Sequence, residues 1–301
     1  MTSGPKNLNL LAFDLGAESG RAILGQFDGR RITLSDIHRF ANTPVLLPDG
    51  LHWNILGLWA EIKRGLAIAG AQTSDSLASL GLDTWGVDFG LLDGQGHLIG
   101  NPFHYRDGRT DGIMEEAYQV MPQEEIYKHT GIQFMQLNSL FQLYAMVRQN
   151  SLALKHAACF LTIPDLINYW FTGRKVSEYT IATTTQCFDT RKNVWSAEVL
   201  ERLGISRHLF CEVVAPGTVI GPLSAAIAAD CEVRQIPVVA PACHDTGSAV
   251  AAVPAEGSGF AWISSGTWSI MGVEAARPVV TGESLQYGMT NEGGVNNTIR
   301  L

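Results

Sequence analysis

The chain has 301 residues, 46% hydrophobic and 17% charged, with a formal net charge of -8; that length supports one large or two moderate globular units, each with its own core. Lys and Arg never run beyond two in succession, which argues against a nucleic-acid partner, since such a partner needs a concentrated basic face. No apolar run approaches the roughly eighteen residues of a membrane span, and the five cysteines include no C-x-x-C pair, which argues against a disulfide frame or a structural zinc site.

The first seven residues carry no apolar segment behind a basic start, so no secretory signal is evident and a cytoplasmic location with reduced thiols is expected. The run 9–14 is apolar and ends in Asp14, which predicts a strand; 15–21 makes a small glycine-containing turn. Residues 22–27 predict a second strand, Asp28-Gly29 signals a hairpin, and 31–40 predict a third. Ile55, Trp59, Ile62, Leu66 and Ala69 recur at helical spacing behind Asn54 as N-cap, and 77–84 returns to strand. This β-β-β-α-β order predicts a mixed sheet, with antiparallel hairpins beside a helix-linked parallel strand. Farther on, 90–99 reads as another hairpin turning at 93–96, 109–150 as helices broken near Pro122 and Gly131, and 159–163 as a strand. Pro164 opens a helix through Leu166, Ile167, Tyr169 and Trp170. The β-branched run 183–185 suits a strand or a pocket wall, 195–203 a short helix, and Pro216-Gly217 with Gly221-Pro222 a linker. Residues 236–243 predict a buried strand, 249–253 the body of a small-residue helix, and 254–258 a boundary before a hairpin-like unit from Gly259.

Between that last strand and helix lies His244-Asp245-Thr246-Gly247-Ser248, an acid and an imidazole at a turn where side chains reach a cleft. Asp245 and Thr246 also suit plain helix capping. Two glycine turns elsewhere bear on the choice. Residues 13–21 and 263–269 each follow an apolar run, turn on glycine and offer hydroxyl and N–H groups, the makings of a phosphate cradle. Asp14 suits a divalent cation beside phosphates. Each turn alone also serves as a tight hairpin. As a pair, near the starts of two successive β units, they have the layout of an actin-like ATPase, in which nucleotide phosphates lie between paired hairpins.

The blocks 14–21, 81–89 (Gly-Leu-Asp-Thr-Trp-Gly-Val-Asp-Phe), 105–110 (Tyr-Arg-Asp-Gly-Arg-Thr), 178–186, 244–246 and 264–269 resemble the FGGY family of sugar kinases, in order and over nearly the whole chain. The resemblance implies an α/β chain with the actin-like ATPase (ribonuclease H-like) fold: one complete N-terminal domain over 1–253 and the opening strands of a second over 254–301. It implies phosphate transfer from ATP, with Mg2+, to the 1-hydroxyl of a ketose. The 81–89 and 105–110 blocks point to L-rhamnulose; kinases of L-fuculose or D-xylulose, and a non-catalytic sugar- or nucleotide-binding fragment, are the alternatives. Asp245 maps onto the family's proton acceptor, and Gly86, His244 and Thr246 onto sugar-binding positions. Asp83 and Asp88 would read sugar hydroxyls, as would Arg106 and Asp107 unless they pair with each other; Trp85 and Phe89 suit either a sugar face or the core. Ala17, Glu18, Ser19, Gly20, Arg21 and Thr267 match positions that hold ATP phosphates, and Asp14 lies on the Mg2+ side, acting through water. His104 and Tyr105 read as packing, and Cys243 as a small buried residue, not a nucleophile.

In this family the second domain matches the first in size, whereas the sequence here runs only through its opening hairpins. The adenosine pocket is therefore expected to be missing and kinase turnover feeble, with strand edges from Gly259 onward open to self-association. Turnover like that of a complete kinase in a coupled ADP-release assay would contradict this expectation.

Overall fold

A computed structural model of the chain describes residues 7–74, 76–257, 259–265 and 269–301. Strands β1 (Leu8–Leu15), β2 (Ser19–Phe27) and β3 (Ile32–Ala41) form an antiparallel meander, and helix α1 (Ile55–Gln72) carries the chain back to β4 (Leu77–Thr84), parallel to β1. Alternation in β1 buries Leu11, Phe13 and Leu15 in one cluster with Ile55, Leu58, Ile62, Leu66 and Ala69 of α1, so period 2 on the strand meets period 3.6 on the helix. Asn54 caps α1 as expected, accepting from the Gly57 N–H.

Strand β5 (Phe89–Leu92) is followed by helices Ile113–Val120, Gln123–Thr130 and α2 (Ser139–Arg148), then by β6 (Cys159–Thr162), which pairs antiparallel with β5. A second core forms there, with Phe89, Phe141, Phe160, Phe188 and Trp195 at its centre. Helix α3 (Ile163–Thr172), helix α4 (Tyr179–Thr184), strands β7 (Thr218–Pro222) and β8 (Pro237–Ala240), and helix α5 (Asp245–Ala251) follow. The main sheet runs β7-β8-β4-β1-β2-β3, with β8, β4 and β1 mutually parallel at its centre. Parallel neighbours need crossovers, so all three finish at one edge. Asp14, Asp83 and, just past β8, Asp245 fall on that edge.

Three local expectations change. The supposed linker at 216–222 contains β7, and Pro222 is tolerated because β7 is the outermost strand, with a partner on one side only. Residues 183–185 end a helix and are not a strand. Glu178 caps α4 by accepting from Thr180 and Ile181 N–H, while the hydroxyls of Thr183, Thr184 and Thr185 donate to carbonyls three residues back, which compensates the weak helix preference of β-branched residues. The 90–99 hairpin is short, with one bridge from Leu92 to Leu98 flanked by Asp93 N donating to His97 O and Ile99 N to Leu91 O, while the other edge of β5 pairs with β6.

Beyond Pro254, β9 (Ala261–Ser265) and β10 (Ser269–Ala275) form a hairpin; β11 (Glu292–Gly293) pairs with β12 (Ile299–Arg300), which also pairs with β10. Among the described residues the end strands of this sheet, each with a partner on one side only, are β9 and the two-residue β11. On that hairpin Ile263 and Met271 are 71% and 73% exposed. The stretch 279–300 docks on the helices that precede it. Asn291, fully buried, donates to Gly131 O and Val279 O and accepts from the Val279 N–H, the Tyr127 hydroxyl donates to Ser284 Oγ and Met289 O, and the Gly293 N–H donates to Thr183 Oγ1. Among the described residues no helix is long and apolar enough to cross a membrane.

Asn291→Ala strands the Val279 N–H, so it should cost about 2 kcal/mol and lower amide-exchange protection across 279–300. Protection equal to the parent's would show that docking does not depend on this side chain.

Candidate active site

The site grows from the ends of the parallel strands. Asp14 and Asp83 lie opposite each other in the β1–β4 register, and the Thr84 N–H donates to Cys243 O at 2.9 Å, drawing 243–245 alongside them. Arg21, directly across from Asp14 on β2, donates from Nε (2.8 Å) and Nη2 (2.6 Å) to Asp14 Oδ2. Asp83 has no such partner: its Oδ1 is enclosed and unbonded, although the residue as a whole is half-buried. Burial, reinforced by the Asp14 and Asp245 carboxylates, pushes its acid up to about 8, so it holds its proton at neutral pH. The Asp14 and Asp245 carboxylates thus converge with the protonated Asp83 acid, with Arg21 taken up by Asp14 and one Asp83 oxygen orphaned. Among the described residues no group of three His, Cys, Asp or Glu could hold a metal ion, so an Mg2+ here would rest on Asp14 with waters and phosphate oxygens supplying the remaining ligands.

His244 and Asp245 are held by a buried frame. Glu178, fully enclosed, accepts from Thr180 N (2.9 Å), Thr180 Oγ1 (2.6 Å), Ile181 N (3.1 Å) and Cys243 N (3.0 Å); Thr180 Oγ1 in turn accepts from His244 N (3.1 Å). Asp165 Oδ1 accepts from the Glu178 N–H at 3.0 Å, so a second buried acid fixes the first. The helix expected over 249–253 starts earlier, at Asp245, and its N-cap is His244, which makes no side-chain capping bond. Asp245 Oδ1 accepts from Thr246 N (2.6 Å) and Thr246 Oγ1 (3.2 Å), while its side chain stays 41% exposed. His244 Nε2 lies 3.4 Å from Asp245 Oδ1, and on its other side Nδ1 meets Arg300 Nη2 (3.0 Å) and Glu292 Oε2 (3.1 Å). Burial favours the neutral form of Glu292, but His244 and Arg300 more than offset it and hold the carboxyl at about 2. Cys243 is buried and its thiol is pushed well up by burial, the opposite of an activated nucleophile.

The first glycine turn is shorter than the sequence implied. Ser19, Gly20 and Arg21 already belong to β2, leaving Gly16, Ala17 and Glu18 as the turn, closed by Gly16 N donating to Ser19 O. Buried Asn42 props it, donating from Nδ2 to Gly16 O and from its backbone N–H to Glu18 O, each at 2.9 Å. A side chain at Gly20 would strike the Phe40 ring, so packing accounts for that glycine. Thr267, the counterpart in the second turn, lies outside the described residues.

The two acids around Trp85 part company. Asp83 faces the carboxylate cluster, whereas Asp88 is a buried hub that accepts from Trp53 Nε1 (2.6 Å), Trp85 Nε1 (3.0 Å), Gln142 Nε2 (2.9 Å) and Tyr105 N (3.2 Å). Trp85 stacks on Trp53 at 4.1 Å with its N–H engaged, so it sits in the core. Phe89 is buried against Phe160, and His104 stacks on Trp53 and Tyr105, as packing. Gly86 gives α4 its approach, since a Cβ there would come to 3.2 Å from Thr184 Oγ1. Val87 adopts a φ of 68°, costly for a β-branched residue, in a tight turn closed by Asp88 N donating to Gly86 O. Arg106 is exposed, 5.3 Å over the Tyr105 ring; Asp107 does not pair with it but accepts from the Leu51 and Arg109 N–H groups. Sequence reading missed Asn42, Glu292 and Arg300 as site residues and saw Glu178 only as part of a block.

Residues 9–252 match the FGGY family of carbohydrate kinases, N-terminal domain. The chain belongs to the FGGY family of carbohydrate kinases. It is 45% identical over 293 residues to a rhamnulokinase of Bacteroides thetaiotaomicron (97% of this chain, 60% of that protein) and 42% identical over 299 residues to a rhamnulokinase of Pectobacterium atrosepticum (97% and 58%). It thus spans about 60% of the length of the curated relatives it matches. Its fold is similar to a ligand-bound xylulose kinase from Lactobacillus acidophilus (TM-score 0.86, 14% identity, 97% of this chain and 59% of that one) and to Plasmodium falciparum glycerol kinase with ADP (TM-score 0.80, 15% identity, 98% and 60%). The actin-like α/β fold expected from the sequence is the fold observed.

The Asp88 carboxyl offers a test of the hub. Burial raises it from 3.8 to about 6, against the Gln142, Trp53 and Trp85 donors and the Arg109 charge. A raised acid stabilises the fold fully below the ordinary value, and that contribution is lost as pH rises through about 6. In Asp88→Asn the fall in stability between about pH 4 and pH 7 should therefore be shallower by about 3 kcal/mol, read from urea unfolding at each pH. Parallel pH curves for parent and variant would refute the assignment.

Proposed function

We propose that this chain carries the sugar-side and phosphate-side machinery of an ATP-dependent kinase that phosphorylates L-rhamnulose at its 1-hydroxyl. The observation that carries the reading is Asp245, an exposed carboxylate held at the ends of the parallel strands between His244 and the acidic pair Asp14 and Asp83. Relatives named rhamnulokinase, similar over nearly the whole chain, support the choice of sugar.

In this reading Asp245 accepts the proton of the 1-hydroxyl as that oxygen forms its bond to the γ-phosphorus. The bond from that phosphorus to the β,γ-bridging oxygen breaks, and ADP leaves with the electron pair. His244, Thr246 and Gly86 hold the sugar, with Asp83 beside them, while the backbone of Gly16, Ala17 and Glu18 and the Arg21 guanidinium face the phosphates. Arg21 is anchored by Asp14, so it presents a fixed positive charge. Asp14 would hold Mg2+ through water, and the ion, when bound, screens phosphate charge. With the reacting oxygens aligned, positioning and charge stabilisation supply most of the acceleration, as is general in phosphoryl transfer.

The test is a panel of L-rhamnulose, L-fuculose and D-xylulose, each titrated calorimetrically against this chain and assayed for ATP-dependent ADP release on the chain extended to full length. L-Rhamnulose should bind tightest, and Asp245→Asn should keep sugar affinity within a few-fold while losing roughly 10²- to 10⁴-fold in kcat. A variant with undiminished kcat, or a preference for another ketose, would overturn the respective part of this reading.

A further inference from the structure

Away from the strand ends that carry the carboxylates, two thiols meet. Cys159, the first residue of β6, and Cys211, 52 residues farther along, hold their sulfurs 3.2 Å apart in a hydrogen bond. Nothing in their spacing hints at the pair; the fold makes it. The backbone on both sides is anchored. Phe160 and Phe210 form a parallel bridge with their rings 5.0 Å apart, and the Trp195 indole donates to Cys211 O at 2.7 Å. Beyond Cys211 the chain runs alongside the frame of the site, with Ser177 N donating to Glu212 O at 2.9 Å and Val213–Val214 pairing with Ser177–Glu178. A disulfide holds its sulfurs about 2.05 Å apart, so closure here takes about 1 Å of side-chain motion and leaves the backbone where it is.

The two sulfurs differ in access. Cys211 alone among the five cysteines is not buried. The hydrogen bond from the Cys159 thiol, aided by the Lys175 ammonium, holds the Cys211 thiol below its ordinary value in spite of burial, while the same hydrogen bond and burial push Cys159 up. A role as small apolar filling suffices for Cys187, Cys231 and Cys243, which are buried. A partly exposed sulfur with a second one behind it is instead the arrangement of an attacking thiolate and its resolving partner. We propose that Cys159 and Cys211 form a reversible disulfide, closed by a peroxide and reopened by a dithiol, with Cys211 as the attacking sulfur. The Cys211 thiolate attacks one peroxide oxygen; the O–O bond breaks, hydroxide leaves, and Cys211 becomes a sulfenic acid. The Cys159 sulfur then attacks the Cys211 sulfur, the S–O bond breaks, and the departing oxygen takes up the Cys159 proton and leaves as water. Two electrons pass from the sulfurs to the peroxide; a dithiol returns them and is itself oxidised. The bond clamps the segment around Cys211 onto β6, beside the strand that carries Glu178. This role is independent of the kinase reading.

The experiment treats the folded, reduced 301-residue chain with hydrogen peroxide, blocks the remaining thiols with N-ethylmaleimide, and maps its peptides without reduction. A peptide joining Cys159 to Cys211 should form first, and the free-thiol count should fall from five to three as those two are bonded. Dithiothreitol should restore all five. Oxidation of Cys187, Cys231 and Cys243 should lag by about tenfold or more, since burial shields them. In Cys159→Ser the sulfenic acid on Cys211 has no partner and should be trapped by dimedone. In Cys211→Ser the loss of the Cys159 thiol to peroxide should slow by about tenfold or more. Five intact thiols under peroxide that oxidises the urea-unfolded chain would overturn the proposal. So would first oxidation at another cysteine, or a Cys159–Cys211 bond that dithiothreitol cannot reopen. Should either variant not fold, the peptide map of the unaltered chain decides.

Discussion

The carboxylate of Glu178 is the interaction on which the site depends. It is sealed from solvent and accepts from four donors, three within its own helical turn and one, the Cys243 amide, 65 residues away. A buried carboxylate is tolerable only when such donors surround it, so moving any of them exposes an unpaired charge. The same bonds that cap α4 therefore fix the backbone one residue before His244. Asp165, behind Glu178, makes the frame two acids deep. The turn at 243–245 has little freedom because the alternative to its observed path leaves the buried Glu178 carboxyl unsatisfied.

Around that frame the acids divide by what they face. Asp88 faces indole and amide donors and ties two tryptophans and α2 together; Asp83, five residues earlier on the same stretch, faces other carboxylates and keeps a proton. The turn at Val87 that separates them is strained. Such strain persists only where the surroundings over-determine it, and here the Val87 carbonyl accepts from Ser139 Oγ at 2.5 Å while its N–H donates to Thr184 Oγ1 at 3.3 Å.

What was legible in the sequence was local. The β-β-β-α-β order, the cap at Asn54, Pro164 opening a helix, and the acids at the ends of β1 and β4 follow from periodicity and from neighbouring residue types. The actin-like fold followed from ordered blocks. What escaped reading depends on contacts with no local pattern: Asn42 with Gly16 across 26 residues, Glu178 with Cys243 across 65, Arg300 with His244 across 56. The threonines of α4 misled because β-branching favours strands, and only their hydroxyl bonds to the preceding turn explain a helix there. Proline and glycine around 216–222 suggested a linker because an edge strand, unlike a central one, tolerates both.

The docking of 279–300 against the earlier helices also has a thermodynamic side. Because that segment supplies the wall behind His244, its docking equilibrium and the affinity of the histidine side of the site share one free energy. Linkage makes the exchange reciprocal. A ligand that preferred the docked arrangement would hold the segment down, by an amount that grows with its concentration over its dissociation constant, and a change at Asn291, whose side chain donates to Gly131 O and Val279 O, would be felt as a loss of its affinity. Buried Asn291 would thus act as a thermodynamic gain setting for any ligand held beside His244.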